Sequence, residues 1–295
     1  MLSILAIALL VGLLVFGVPI FVALGIVSIG MLTLEGRPLF DAALTAISGL
    51  NSSAFVAVLF FVIAAKFMQS GGIARVLIEA AEAWVGWMRG GIGLVAVLGT
   101  TFFAAVSGSS VVTAMTMGTL LIPVMVAKHY DRHFALGTLG AAGTLGILIP
   151  PSLSMILYGL VANESVARLF LAGVVPGLLQ ALILGVFVVL YSRRKNYVSG
   201  DRLSREEFVA RNVRALPALL IPLVVFVGIY GGYASVAESA ALAAVVSLGV
   251  AMFAYREIHG REVLDLVAAA VKSAGAITFI VMFALLFAPW LAGSG

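Results

Sequence analysis

Cysteine is absent from the 295 residues, which excludes disulfides and thiol chemistry. Charge is scarce: 10% of the residues are Asp, Glu, Lys or Arg, against about 25% in soluble domains. With 63% hydrophobic residues and a mean hydropathy of +1.20, a soluble core is excluded and the chain reads as an all-α membrane protein. The formal charge of +4 is no nucleic-acid signal, because seven of the seventeen basic residues lie between Arg193 and Arg214. Clustering beside an apolar span marks a cytoplasmic loop, so the lipid bilayer is the partner implied and nucleic acid is excluded. Metal-ligand clusters are also lacking. His129 and His133 have i,i+4 spacing but only Asp131 for company, in a polar loop, and do not make a zinc site. No general base lies near Ser107, Ser109 or Ser110, so serine hydrolysis is excluded and no enzymatic activity is read here.

Long apolar runs are what the chain has instead. Leu2 to Leu34 is nearly uninterrupted apart from Gly17-Val18-Pro19, so one kinked helix and two short ones both fit. The start, Met1-Leu2-Ser3, lacks a basic segment and reads as retained membrane structure. Ser53 to Gln69 makes a span, with Lys66 near its end reaching toward the interface. From Gly72 to Arg89, Arg75, Glu79, Glu82 and Arg89 share one helical face while Ile73, Leu77, Trp84 and Met88 share the opposite one. That pattern predicts an amphipathic interfacial helix with Trp84 and Trp87 at headgroup level.

Two interruptions organise the rest. Gly91 to Ala127 carries no charge over 37 residues, about 55 Å as a single helix, too long for one span and short for two with a turn. Ser107-Gly108-Ser109-Ser110 sits at its centre, so a re-entrant hairpin with its tip there fits best, two short full spans remaining open. Phe134 to Asn163 is likewise free of charge and contains Pro150-Pro151-Ser152, which predicts two half-helices meeting near Ile149 to Ser152. Before that break, Gly137, Gly140, Gly143 and Gly146 recur every third residue, a surface either for ordinary helix packing or for the hairpin.

Spans follow at Leu169 to Tyr191, Ala215 to Tyr230, Val236 to Tyr255 and Ser273 to Trp290, with Ser192 to Arg214 as the longest hydrophilic loop, placed in the cytoplasm. Glu238, in the first turn after Ser235, reads as a helix-capping acid. Glu35-Gly36-Arg37-Pro38-Leu39-Phe40-Asp41-Ala42-Ala43 resembles His259-Gly260-Arg261-Glu262-Val263-Leu264-Asp265-Leu266-Val267, 224 residues later and on the opposite side of the membrane by this topology. An inverted repeat predicts such a match. Residues 1–214 then form a first repeat, with an interfacial helix 72–89, a hairpin 91–127, a broken helix 134–163, a span 169–191 and a cytoplasmic loop 192–214. Residues 215–295 form an incomplete second repeat, whose own hairpin is expected beyond Gly295.

A hairpin tip offers helix-end carbonyls beside free N–H groups, the first suited to a cation and the second to an anion. The proline break repeats this, its second half-helix expected to be capped by Ser152. Facing each other, the two breaks predict Na⁺ at Ser107, Gly108, Ser109, Gly146, Ile149 and Pro150, and an anionic substrate at Ser109, Ser110, Thr113, Pro151 and Ser152. No cofactor is called for beyond Na⁺ as coupling ion.

Several of these stretches are shared with a known family. Gly71-Gly72-Ile73-Ala74, Ser107-Gly108-Ser109-Ser110 with Thr113, Ile122-Pro123, Tyr130-Asp131, Gly143 to Ser152 and Ala172-Gly173-Val174-Val175-Pro176-Gly177 resemble, in order, the large membrane subunit of tripartite ATP-independent periplasmic (TRAP) transporters. Ser235 to Ser239 departs from the family's Thr-Pro-Thr-Glu-Ala, keeping only Glu238. The resemblance implies an inverted-repeat, elevator-type, sodium-driven secondary transporter in the bacterial cytoplasmic membrane, with a re-entrant helical hairpin and a discontinuous helix. It further implies a small four-helix membrane subunit and a periplasmic substrate-binding protein that delivers an organic acid, such as a C4-dicarboxylate or a sialic acid. Family members are longer, which agrees with a missing second hairpin. Two other readings stay open, an elevator-type anion/sodium symporter without a binding protein and a non-transporting fragment that only docks a partner.

Overall fold

Gly17, at φ +78°, and Pro19 end one helix and start the next, so the first apolar run is two helices, α1 (Leu2–Val15) and α2 (Ile20–Leu34). The computed structural model describes residues 2–36, 53–197 and 199–293, together with 38, 40, 44 and 47. Most of the first repeat loop, Glu35 to Ala43, therefore lies outside the described residues.

The described residues are helical almost throughout, with one isolated antiparallel bridge between Arg89 and Ser199. Among the described residues five helices are long and apolar enough to cross a membrane, and up to seven spans result if each of two bent pairs counts as one. The first bent pair is α3 (Ser53–Ser70) and α4 (Ile73–Val85), which meet at 66°. Gly71 and Gly72 make this corner for different reasons. A Cβ on Gly71 would lie 2.4 Å from that of Ala251, and Gly72 takes φ +73°.

Behind α4 come α5 (Gly91–Ser107) and α6 (Ser110–Ala127), then α7 (Arg132–Gly143), α8 (Leu145–Leu148) and α9 (Leu153–Ala162). The chain closes with α10 (Val166–Arg194), α11 (Arg205–Tyr230), α12 (Val236–Gly249) and α13 (Gly260–Gly293). The core runs through α3, which packs most extensively on α12. Ser239, Ala240, Ala243, Ala244 and Ser247 are buried on α12, and small residues at this spacing let two helix backbones approach closely without a hydrophobic force to drive them together. The α1–α2 pair is tied on by α13, through a cluster of Ala6, Val27, Met31, Leu32 and Trp290. The Trp290 indole also donates to the Glu35 carboxylate at 2.7 Å.

Several boundaries differ from the sequence reading. The amphipathic segment is helical only to Val85, because the glycines at 86, 90 and 91 turn the chain into α5. Its charged face is not simply solvated: Arg75 pairs with Glu257 at 3.2 Å, Glu79 with Arg214 at 3.5 Å, and Glu82 with Arg211. Ile73 and Leu77 are buried as expected, yet Trp84 is half-exposed, donating to Asn212 Oδ1 at 2.8 Å and meeting the Phe208 ring. These partners come from residues 205–214, read as loop from their charge. They are helix, because Ser204 accepts from the Glu207 N–H and nucleates α11 ten residues before its apolar run. α13 likewise begins at Gly260, well before the apolar span expected from Ser273.

Elsewhere the local signals hold. Ser235 and Glu238 form a reciprocal capping box, at 3.2 and 2.7 Å, so the acid caps α12. Asp131 caps α7, and the Phe134 N–H bonded to it holds its carboxyl below the ordinary value. α12 ends in a wide π turn over Val250–Ala254, which delivers Tyr255 into α11. There the Tyr255 hydroxyl accepts from the Ala218 N–H at 3.2 Å and donates to the Arg214 carbonyl at 2.9 Å, groups one turn apart on α11. Tyr255→Phe removes both bonds and is expected to cost about 1–3 kcal/mol. Thermal unfolding of the detergent-solubilised variant checks this, and a transition matching wild type would contradict it.

Candidate functional site

The charge-free run from Gly91 folds as a helical hairpin. Gly108 is the turn, at φ +64°, and its N–H returns to the Ala104 carbonyl at 3.2 Å, closing α5 as a left-handed cap. Ser109 is extended and caps α6, its hydroxyl 3.5 Å from the Val112 N–H. The two arms pack antiparallel: Gly99 faces Met117, each nine residues from Gly108. Across the turn the Ser107 and Thr113 hydroxyls are hydrogen-bonded to each other, both buried.

The second interruption is where the prolines placed it. α7 and α8 together bend by 45° relative to α9, with Ile149 to Ser152 between them. Pro150 has no N–H to continue α8, while the Ile149 N–H still reaches the Leu145 carbonyl at 2.8 Å.

Tertiary packing interlocks the two breaks. The Leu153 N–H, first of α9, donates to the Gly108 carbonyl at 3.0 Å. A Cβ on Gly108 would lie 2.6 Å from the Pro151 carbonyl oxygen, and one on Gly146 would lie 2.7 Å from the Ser109 carbonyl and 2.8 Å from Thr113 Oγ1. Glycine is thus required on both sides of the seam. The tip therefore supplies the partner expected from Ser152, a correction to the sequence reading. Ser152 has the extended backbone of a cap but makes no capping bond, and its hydroxyl is fully buried without a hydrogen-bond partner among the described residues. Ser109 and Ser110 are half-buried at the rim, Ser110 with no side-chain hydrogen bond among the described residues, and Val111 beside them is 65% exposed.

α10 forms the opposite wall. A Cβ on Gly173 would lie 2.3 Å from the Leu148 carbonyl oxygen, and one on Gly177 2.9 Å from the Ile149 side chain. The break is clamped between α10 and the hairpin tip. Of the four regularly spaced glycines, only the last two serve this contact: Gly143 lies against Ala114 of α6, whereas Gly137 and Gly140 face open space. Every third residue of an α-helix advances 300°, so such a series drifts around the helix instead of following one side.

Two amide side chains within helices went unread in the sequence. Gln180 of α10 donates to Thr144 Oγ1 at 2.6 Å and to the Ala141 carbonyl at 3.3 Å, where α7 passes into α8. Gln69, at the end of α3, donates to Thr116 on α6 at 3.2 Å, beside a cavity of about 310 Å³ that Arg75 and Glu257 also line. An amide inside a membrane helix is costly unless bonded, and that was the available signal.

A multi-spanning all-α protein whose two interrupted helices meet end to end has the architecture of a membrane transporter. Residues 7–295 match the family model described as Tripartite ATP-independent periplasmic transporter, DctM component, and the chain belongs to that family. It is 40% identical over 256 residues to a C4-dicarboxylate TRAP transporter large permease protein of Vibrio cholerae, covering 85% of this chain and 56% of the relative. It is 35% identical over 277 residues to an isethionate TRAP transporter permease protein of Oleidesulfovibrio alaskensis, covering 93% of this chain and 44% of the relative. A third relative is the ectoine/5-hydroxyectoine TRAP transporter large permease protein of Ruegeria pomeroyi, 34% identical over 235 residues and covering 80% and 54%. The chain spans about half the length of the curated relatives it matches.

Proposed function

We propose that the interlocked breaks form half of a sodium-and-substrate site in a secondary transporter for an organic acid. The observation that carries the reading is the seam itself, where the Gly108 carbonyl meets the Leu153 N–H beside a fully buried, unpartnered Ser152 hydroxyl. A buried orphan hydroxyl calls for a ligand. The donor set around it is carbonyl and hydroxyl oxygen, which fits a hard cation. Ser107, Gly108, Ser109, Gly146, Ile149 and Pro150 would hold Na⁺, whose charge would offset the carbonyl ends and draw in an anion. The N-terminal ends of α6 and α9, with Ser109, Ser110, Thr113, Pro151 and Ser152, would take the substrate carboxylate.

In this reading the hairpin is re-entrant from the cytoplasmic side, residues 1–214 and 215–295 belong to two inverted repeats, and the broken elements travel as one body in an elevator movement. The partners are a small four-helix subunit in the bacterial inner membrane and a periplasmic protein that delivers a C4-dicarboxylate, a sialic acid or a related organic acid. Relatives named for C4-dicarboxylate, isethionate and ectoine support an anionic or carboxylate-bearing solute without choosing among them.

Proteoliposomes containing the permease, its small subunit and its binding protein test the coupling: uptake is expected only with an inward sodium gradient, and uptake indifferent to sodium would sink it. Ser109→Ala and Ser110→Ala are each expected to weaken apparent sodium or substrate affinity about tenfold, the effect of losing one contact to a charged ligand, while membrane insertion stays intact. Unchanged affinities for both ligands would remove the site assignment.

A further inference from the structure

Away from the seam, two cavities lie near the start of α5 and the end of α10. The first is an apolar groove of about 510 Å³ between those helices, lined by Met88, Leu94, Leu98, Leu182, Val186 and Leu190 among others. The second is a polar cavity of about 270 Å³ lined by Arg89, Ser192, Arg193, Asn196, Tyr197 and Ser199. They share their edges in the chain. Met88 precedes Arg89 directly, and Leu190 lies three residues before Arg193, on a neighbouring strip of the same helix.

The polar cavity is built by the fold. The Arg89–Ser199 bridge and the Gly200 N–H to Gly86 carbonyl bond, at 3.2 Å, hold the segment after α10 over the turn that starts α5. Arg202 is pinned nearby, its guanidinium 4.4 Å from the Trp87 ring centre. Among the described residues neither Arg89 nor Arg193 has a carboxylate within ion-pair distance. The Ser192 hydroxyl is buried against Gly90 and has no hydrogen-bond partner among the described residues. Two unpaired cations and an orphan hydroxyl ask for an anion with acceptor oxygens, and the apolar groove asks for a long apolar body.

We propose that this composite site binds an anionic phospholipid, its phosphate at Arg89, Arg193 and Ser192 and an acyl chain along the α5–α10 groove. One ligand with a single charged end accounts for both cavities, as a basic pocket between membrane helices is suited to do. The lipid would fasten the first arm of the hairpin to α10, which also forms the wall of the seam.

Native mass spectrometry of the detergent-extracted protein, offered equal amounts of phosphatidylglycerol and phosphatidylcholine, tests the proposal. Phosphatidylglycerol is expected to be retained preferentially. The preference is expected to fall about fivefold per arginine, or roughly 30-fold in the double variant Arg89→Gln with Arg193→Gln. The pair Arg89→Lys with Arg193→Lys should keep most of it, which guards against a mere loss of folding. Gly185→Leu, which fills the groove, should cut retention of both lipids. Equal retention of the two lipids by the wild type overturns the proposal, as does an unchanged preference in the Gln double variant. Binding of inorganic phosphate that excludes phosphatidylglycerol from the wild type, while Gly185→Leu retains lipid normally, would reveal a soluble-anion site instead. A polypeptide cross-linked to Gly185→Cys, the sole thiol in that variant, would reveal a protein occupant and overturn it equally.

Discussion

Gly108→Ala is expected to pull the two breaks apart. The substitution meets two independent obstacles, a left-handed backbone at φ +64° and a Cβ placed 2.6 Å from the Pro151 carbonyl oxygen. The first costs about 1–2 kcal/mol and the second, as overpacking against backbone, about 1–3 kcal/mol. Relief by a side-chain rotation is closed, since the opposing atom belongs to the peptide that sets the break. The Leu153 N–H then loses its acceptor or the tip loses its turn, and either change disperses the oxygens proposed for Na⁺. Thermal unfolding should drop in temperature and lose its dependence on sodium, and uptake should fall at least about tenfold while the protein still inserts. Wild-type sodium dependence in the Ala variant would show that the seam is not the ion site.

Gly173→Ala should be nearly as harmful for a different reason. Gly173 is an ordinary helical residue, but a Cβ there would sit 2.3 Å from the Leu148 carbonyl oxygen and from the Met155 methyl. Methionine can move aside, being flexible. The carbonyl cannot, because Leu148 closes α8 two residues before the prolines. A loss of about 1–3 kcal/mol is expected. Gly140→Ala gives the contrast, since nothing lies within 4 Å of its Cβ and the helix should gain about 0.8–1 kcal/mol from propensity. Unfolding measured side by side should move the two variants in opposite directions. Equal shifts would mean that α10 does not clamp the break.

What was legible in the sequence was mostly local or compositional. Ser107 to Ser110 stands out because polar residues in the middle of an apolar run must be bonded or solvated, and Pro150-Pro151 stands out because proline removes the N–H that a helix needs. Both breaks occur where those arguments place them. The capping acid Glu238 was readable for the same reason, its partner lying three residues away.

The misreadings share the opposite property. Residues 205–214 were taken as loop from their charge, although the charges of Arg211 and Arg214 face Glu82 and Glu79 on a helix more than a hundred residues earlier. Trp84 was assigned to the apolar face, but its indole N–H finds Asn212 on that same helix. The glycine series was read as one surface, for ordinary helix packing or for the hairpin, whereas its drift around α7 and α8 sends two glycines to the hairpin and two to open space. Gln180 drew no notice until Thr144 appeared across from it.

The sequence by itself determined that the chain lives in a membrane, that its helices break at two places and that the breaks carry small polar residues rather than charges. Hydrophobicity, proline and glycine act through bilayer solvation and backbone hydrogen bonding, and both are settled within a turn or two of chain. Tertiary structure decided that the breaks meet, that Gly108 rather than Ser152 receives the start of α9, and that α10 closes the seam from behind. Those outcomes rest on close approach between segments some twenty-five to forty-five residues apart, where a missing Cβ matters only once the opposing backbone is in place.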